Sequence, residues 1–167
     1  MSYGVDAEKV TVTGIPVSPR MSLESRSKPE IRRSLGWEEH LPTVLAVGSK
    51  RVDRLLDTLN VINHFGGNLQ LAVVAGKDEA LYRELSEVEW HIPVHLYDFV
   101  ENMPVMMKAA DLLVCKAGGL IVTEALACAL PMLLIEVIPG QETGNAEYAN
   151  AYGTADIAQS PIEVLEV

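Results

Sequence analysis

Aromatic residues and long hydrophobic runs are both scarce in this sequence. Aromatic side chains make up 5% of its 167 residues and hydrophobic residues as a whole 49%, so the core must be mainly aliphatic and rich in alanine. The longest apolar stretch, Ala125–Ile135, contains Pro131 and is too short to span a bilayer. This composition is typical of one compact domain in which helices pack closely against a sheet.

Positive charge is scarce as well. The chain has 13 Lys and Arg residues against 23 Asp and Glu residues, which gives a formal net charge of −10. A nucleic-acid-binding surface needs a basic stripe, commonly with aromatic residues between the charges, and the sequence has neither. We therefore expect no nucleic acid among its partners.

Cysteine occurs only at positions 115 and 128. Two cysteines are too few for a disulfide framework or a metal cluster, and we expect Cys115 and Cys128 to be small buried hydrophobes. The residues after Met1 lack the basic-then-apolar pattern of a signal peptide. These features predict a cytoplasmic protein.

Patterns that would hold a metal ion or a nucleophile are missing too. The sequence has no Asp-x-Asp pair for a divalent cation, and its four histidines are scattered. No Ser-His-Asp arrangement is evident. We expect neither a metal nor another cofactor.

The start of the chain differs in character from the rest. The stretch 10–30 has three prolines and several serines but no sustained apolar period, which predicts an extended connector. We assign residues 1–27 to an interdomain connector and residues 28–167 to a single domain. The chain stops at "SPIEVLEV", where another helix would begin, so we expect both ends to be cuts inside a longer protein.

Beyond Pro42, near-continuous apolar strands alternate with segments of helical spacing. Such strands are typical of a parallel sheet covered by helices on both faces. The predicted fold is therefore α/β, with a Rossmann-like doubly wound parallel sheet of about six strands. The predicted strands, some with their turns, are 43–49, 69–76, 92–99, 111–119, 131–137 and 154–158. The predicted helices are 29–35, 52–65, 78–89, 102–110, one that begins at Leu120, and 142–152.

Glycines follow several of these strands. In a doubly wound sheet, ligands bind outside the carboxyl ends of the strands, where the strand order reverses. Gly118 and Gly119 would let the backbone approach an anion at the start of the next helix, and Gly48, Ser49 and Gly76 lie at two other strand ends. The alternative is a tight turn without a ligand, and spacing alone does not decide between the two.

Polar residues beside this turn suggest a hydroxyl-rich ligand. Glu124 lies in the helix that follows the glycines. Its carboxylate would either accept hydrogen bonds from a ribose diol or simply be stabilised by the positive end of the helix dipole. Gln141, Glu142 and Asn145 follow the last long strand and suit a sugar. The alternative for these three is capping of the helix that they begin.

Longer stretches of the sequence resemble a known family. "DFVENMPVMMKAADLLVCKAGGLIVTEALACALPMLL", followed by "PGQETGNAEY", matches its signature in residues and spacing, and "VTGIPV" resembles its interdomain connector. The chain thus resembles the C-terminal, donor-binding half of GT-B glycosyltransferases. The group it resembles most contains the monogalactosyldiacylglycerol synthases and the processive diacylglycerol glucosyltransferases, with the peptidoglycan lipid-linked N-acetylglucosaminyltransferase as a more distant relative.

The resemblance implies a role for each matching residue. It puts Phe99 and Val100 by the uracil, Gly118 and Gly119 at the pyrophosphate, Glu124 at the ribose hydroxyls, Gln141 and Glu142 at the sugar, and Asn145 in support of their turn. One loop departs from the pattern. Lys50 and Arg51 follow Gly48 and Ser49 where the family has small residues, so either this basic pair contacts phosphate or the loop binds the donor less closely.

The resemblance also implies an activity for the whole protein. It would move galactose or glucose from a UDP-sugar to a lipid acceptor such as diacylglycerol, and a helix N-terminus would stabilise the departing UDP in place of a metal. The acceptor pocket and the catalytic base would lie on an N-terminal half, so no catalytic residue is assigned in this chain. Peripheral association with the inner face of a membrane would suit a lipid acceptor.

Two other functions stay open at this point. A UDP-sugar epimerase shares the fold, and product analysis with labelled UDP-sugar separates it from a transferase. A non-catalytic donor-binding subunit that needs a separate acceptor-binding chain is the other.

Overall fold

A computed structural model describes residues 4, 6–19, 23–49, 52 and 54–166. Strands and helices alternate along this part of the chain. The strands are β1 Thr43–Val47, β2 Gln70–Val74, β3 Val94–Tyr97, β4 Leu112–Lys116, β5 Met132–Glu136 and β6 Ala155–Ile157. The α-helices are α1 Lys28–Leu35, α2 Leu55–His64, α3 Glu79–Glu87, α4 Met103–Ala109, α5 Gly119–Ala127 and α6 Thr143–Ala151, and 3-10 helices occupy Ala7–Lys9 and Ile162–Leu165.

The six strands form one parallel sheet in the order β3-β2-β1-β4-β5-β6. The predicted fold class, a Rossmann-like doubly wound sheet, is confirmed. Strand β1 pairs with β2 on one side, with Thr43 opposite Gln70, and with β4 on the other, with Val44 opposite Leu112. The strand order reverses between β1 and β4, and a crevice is expected outside the carboxyl ends of these two strands.

Apolar side chains on the two faces of the sheet form two separate cores. One core joins the sheet to α1, α4, α5 and α6, and the other joins it to α2, α3 and the last 3-10 helix. Met106 and Met107 are buried in the first core. Strands buried on both faces explain why their sequences are near-continuous apolar runs instead of alternating ones.

The two cysteines differ in their surroundings. Cys115 is buried in β4, as predicted, and loss of solvation raises the pKa of its thiol to about 12. The prediction of burial is wrong for Cys128, which lies just past the end of α5 and is only half-buried. Burial still raises the pKa of Cys128. Cys115 and Cys128 form no disulfide.

None of the helices in the described part of the chain combines the length and the apolar character that crossing a bilayer requires.

Helix α1 is attached to the amino ends of the central strands by a group of charges. The Arg32 side chain is 7% exposed; its Nε donates to the Ala109 carbonyl at 2.9 Å and its Nη2 to Asp111 at 2.5 Å. Asp111 also accepts from Lys28 Nζ and from the Thr43 amide, each at 2.8 Å. Partial burial disfavours its charge, but these hydrogen bonds and the two cations hold the pKa of Asp111 below its usual value.

Replacing Arg32 tests this attachment. Arg32→Met should lower the free energy of unfolding by about 3–6 kcal/mol, because the hydrogen bonds to Ala109 and Asp111 are both lost and bonds to charged groups each contribute about 1.5–3 kcal/mol. Arg33→Met is the matched control. Arg33 is exposed and pairs with Glu39, and such surface pairs contribute about 0–1 kcal/mol. Urea denaturation measures both, and equal losses would contradict the assignment.

Candidate functional site

A cavity of about 390 Å³ opens at the carboxyl ends of β1 and β4, where the strand order reverses. It is formed by the loop after β1, the end of β4, the first turn of α5 and the start of α6. Most of the residues predicted from the sequence line it: Gly48, Ser49, Gly118, Gly119, Gln141, Glu142 and Asn145. The predicted location of the site, at the strand ends, coincides with this cavity.

The glycine pair between β4 and α5 fits closely against its surroundings. Gly118 is the N-cap residue of α5 with an extended backbone, and as a glycine it gives the helix no side-chain cap. A β-carbon on Gly118 would lie 3.2 Å from Lys116 Nζ, and one on Gly119 would lie 3.3 Å from Ile15 Cδ1. Larger residues here would press against these neighbours and narrow the approach to the first N–H groups of the helix, which lack partners within it.

The loops after β1 and β2 meet through their backbones. Gly76 has a φ of 71°, and a β-carbon there would lie 2.4 Å from the Gly48 carbonyl oxygen. The Gly48 amide donates to the Val74 carbonyl at 2.8 Å. Gly76 does not line the cavity, but it allows the Gly48 loop to take its place in the cavity wall.

Phe99 and Val100 follow β3, at the same edge of the sheet but outside the cavity lining. Phe99 is half exposed, and the ammonium of Lys77 lies 4.0 Å from the centroid of its ring. Val100 packs partly against the first core. Their contact with uracil stays a prediction.

Glu124 lies in the second turn of α5, also outside the cavity lining. It is half-buried, and loss of solvation raises the pKa of its carboxyl group. None of the described residues donates a hydrogen bond to this carboxylate that would offset its loss of solvation. A ligand with hydroxyl groups would supply the missing donors, and the contact with ribose stays a prediction.

The start of α6 carries three predicted residues with different surroundings. Gln141 is exposed at the cavity. Asn145 Nδ2 donates to the Ala117 carbonyl at 2.9 Å, so it ties α6 to the turn that precedes α5. Glu142 is 2% exposed; its Oε1 accepts from Lys116 Nζ and its Oε2 from the Ile138 amide. The contact of Glu142 with the sugar stays a prediction.

Lys116 lies at one of the strand ends where the sequence predicts a ligand, but no role was assigned to it from the sequence. It is the last residue of β4 and lines the cavity with its side chain 23% exposed. The available signal was a basic residue that closes an otherwise apolar strand directly before the glycine turn. No sequence pattern pairs it with Glu142, which lies 26 positions further on.

Comparison with known proteins identifies the domain. Residues 43–158 match the profile described as "Glycosyltransferase family 28 C-terminal domain". The chain belongs to this family. The match spans all six strands and every predicted contact residue of the cavity.

Individual relatives agree with this family. The chain is 34% identical over 169 residues to a monogalactosyldiacylglycerol synthase, chloroplastic, of Spinacia oleracea, covering 96% of this chain and 32% of that protein. The chain therefore spans about a third of the length of such relatives.

Solved structures show the same fold at low identity. MurG of Acinetobacter baumannii superposes with a TM-score of 0.64 at 20% identity, over 91% of this chain and 47% of MurG. Anabaena HepE, solved in complex with UDP-glucose, has a TM-score of 0.64 at 16% identity, over 98% of this chain and 48% of HepE.

Two features of this family 28 domain remain as predictions. Lys50 and Arg51, the basic pair in the loop after β1, lie outside the described residues. In the described part of the chain, no three His, Cys, Asp or Glu residues are grouped to hold a metal ion. The expectation that the domain needs no metal stays a prediction.

The contact between the loops after β1 and β2 gives a test of this family 28 domain. Gly76→Ala should lower the free energy of unfolding by about 1–3 kcal/mol more than Gly66→Ala. Gly66 has a φ of 75° but no heavy atom within 4 Å of an added β-carbon, so its substitution measures the backbone strain alone, about 1–2 kcal/mol. Urea denaturation of both variants measures the difference. Equal decreases in the free energy of unfolding would show that the Gly48 loop shifts to accommodate the added methyl group at little cost.

Proposed function

We propose that this chain is the donor-binding domain of a glycosyltransferase that moves a hexose, galactose or glucose, from a UDP-sugar to a lipid acceptor such as diacylglycerol. The observation that carries the proposal is the cavity at the β1–β4 switch point, with the Gly118–Gly119 turn on one side and Gln141 on the other. The name of the Spinacia relative supports the lipid acceptor, and the bound UDP-glucose of HepE supports the donor.

The diphosphate of the donor would bind at the start of α5. The first amides of a helix are free donors, and the helix dipole favours negative charge there by about 0.3–1 kcal/mol. Donors fixed in place before the reaction stabilise charge as it develops on the departing UDP. A side chain at Gly118 or Gly119 would press against Lys116 or Ile15 and narrow the approach to these amides, which explains the glycine pair.

The rest of the donor would extend to either side of this turn. Gln141 is exposed at the cavity and would contact the sugar, while Asn145 holds α6 against the turn. Glu124 would accept from the ribose hydroxyls, and the exposed ring of Phe99, with the backbone of Val100, would lie by the uracil. The catalytic base and the acceptor pocket belong to another part of the whole protein, and a lipid acceptor suits peripheral membrane association.

Nucleotide preference tests the donor assignment. Calorimetric titration of the chain should show at least tenfold tighter binding of UDP than of ADP, about 1.4 kcal/mol, because the site is assigned to a uridine nucleotide. UDP-galactose and UDP-glucose should bind in the same series. EDTA should leave these affinities within about tenfold, since helix amides and not a metal meet the diphosphate. Equal or tighter binding of ADP would overturn the assignment.

Glu124 provides a second test. Glu124→Gln should weaken UDP binding by about tenfold or more, because each hydrogen bond from ribose to the carboxylate contributes about 1.5–3 kcal/mol. The control ligand is 2′,3′-dideoxy-UDP, which lacks both hydroxyl groups and should bind variant and parent alike. An equal loss for both ligands would show that Glu124 acts through the fold and not through ribose.

A further inference from the structure

The wall of the cavity contains an ion pair whose two members differ in accessibility. Glu142 is 2% exposed, and both of its oxygens accept hydrogen bonds from the protein, from Lys116 Nζ and from the Ile138 amide. Lys116 is 23% exposed and donates one of its three N–H bonds to Glu142. The carboxylate is thus directed into the protein, and the ammonium keeps donors for a group in the cavity.

The ammonium also lies directly beside the glycine turn. A β-carbon on Gly118 would be 3.2 Å from Lys116 Nζ and 3.7 Å from Glu142 Oε1. Gly118 is the residue from which α5 begins. The positive end of the helix and the ammonium are therefore adjacent in the same cavity wall.

Charge explains why the two side chains are held together. Of the described residues that line the cavity, Lys116 is the only Lys or Arg. An unpaired carboxylate as deeply buried as Glu142 would be strongly unfavourable, so the pair persists in the free domain. It keeps the flexible lysine in one position beside the helix start, which lowers the entropy lost when an anion binds.

We propose that Lys116 donates to the diphosphate of the donor and that Glu142 is a positioning residue that holds Lys116 in place, instead of a residue that contacts the sugar. This inference rests on the proposed function and adds to it the cation that meets the leaving group. A diphosphate in the cavity would accept from the free N–H bonds of Lys116 and from the first amides of α5 together.

The test must separate binding from folding. Lys116→Met alone would leave Glu142 unpaired and destabilise the domain, so the double variant Lys116→Met/Glu142→Gln, which removes both charges, is the informative one. Its affinity for UDP should fall at least tenfold, about 1.4 kcal/mol, while its affinity for uridine stays within about twofold of the parent. Arg33→Met removes a positive charge far from the cavity and should change neither affinity.

The outcomes distinguish this inference from the proposed function. Equal UDP affinity in the double variant and the parent would overturn the role of Lys116 and leave the donor assignment standing. A parent chain that prefers ADP to UDP would overturn the donor assignment itself. An equal loss of affinity for UDP and for uridine in the double variant would overturn the inference, because it would show that Lys116 and Glu142 stabilise the fold and do not bind the diphosphate.

The single variant Glu142→Gln decides the role of Glu142. A positioning residue does not touch the sugar, so the ratio of UDP-galactose affinity to UDP affinity, and the same ratio for UDP-glucose, should match the parent. A selective loss of either UDP-sugar would place Glu142 at the sugar and overturn the positioning role.

Discussion

The parallel pairing of β1 with β4 is the constraint on which the rest of this domain depends. Val44, Leu45 and Ala46 lie opposite Leu112, Leu113 and Val114. In the sequence, β2 and β3 come between β1 and β4, and in the sheet they lie on the other side of β1. The connections on the two sides of this pair therefore run to opposite faces of the sheet, and the carboxyl ends between them stay open. The cavity is a consequence of strand order before any side chain is considered.

The amino ends and the carboxyl ends of this strand pair differ in how they are closed. At the amino ends, Asp111 accepts from the Thr43 amide, and the buried Arg32 adds a charged partner, so that end is closed by hydrogen bonds and contributes to stability. At the carboxyl ends, glycines stand where larger residues would narrow the cavity, and Gly118 gives the start of α5 no side-chain cap.

The parallel sheet and the position of the site at its strand ends could be predicted from the sequence, because both follow from local signals. Near-continuous apolar runs indicate buried parallel strands, and glycines after them indicate turns. Contacts between distant positions could not be predicted in this way. Nothing local pairs Lys116 with Glu142 or brings Gly76 to the Gly48 carbonyl, since these contacts exist only after the strands have aligned. The burial of Glu142 could not be predicted for the same reason. In the sequence it stands next to Gln141 and near Asn145, and it looks like another polar residue exposed at the cavity.

The burial of Glu142 links the architecture of α6 to the chemistry of the strand ends. Two bonds fix the start of α6 to the end of β4, one from Lys116 to Glu142 and one from Asn145 to the Ala117 carbonyl. They bracket the glycine turn, so the position of α6 sets the position of the ammonium beside α5. Because donors fixed beforehand need no reorganisation when an anion arrives, rigidity at this junction favours binding as well as stability. In the proposed site, an acid at the N-cap of α6 therefore serves the phosphate without touching it, by holding the lysine that does.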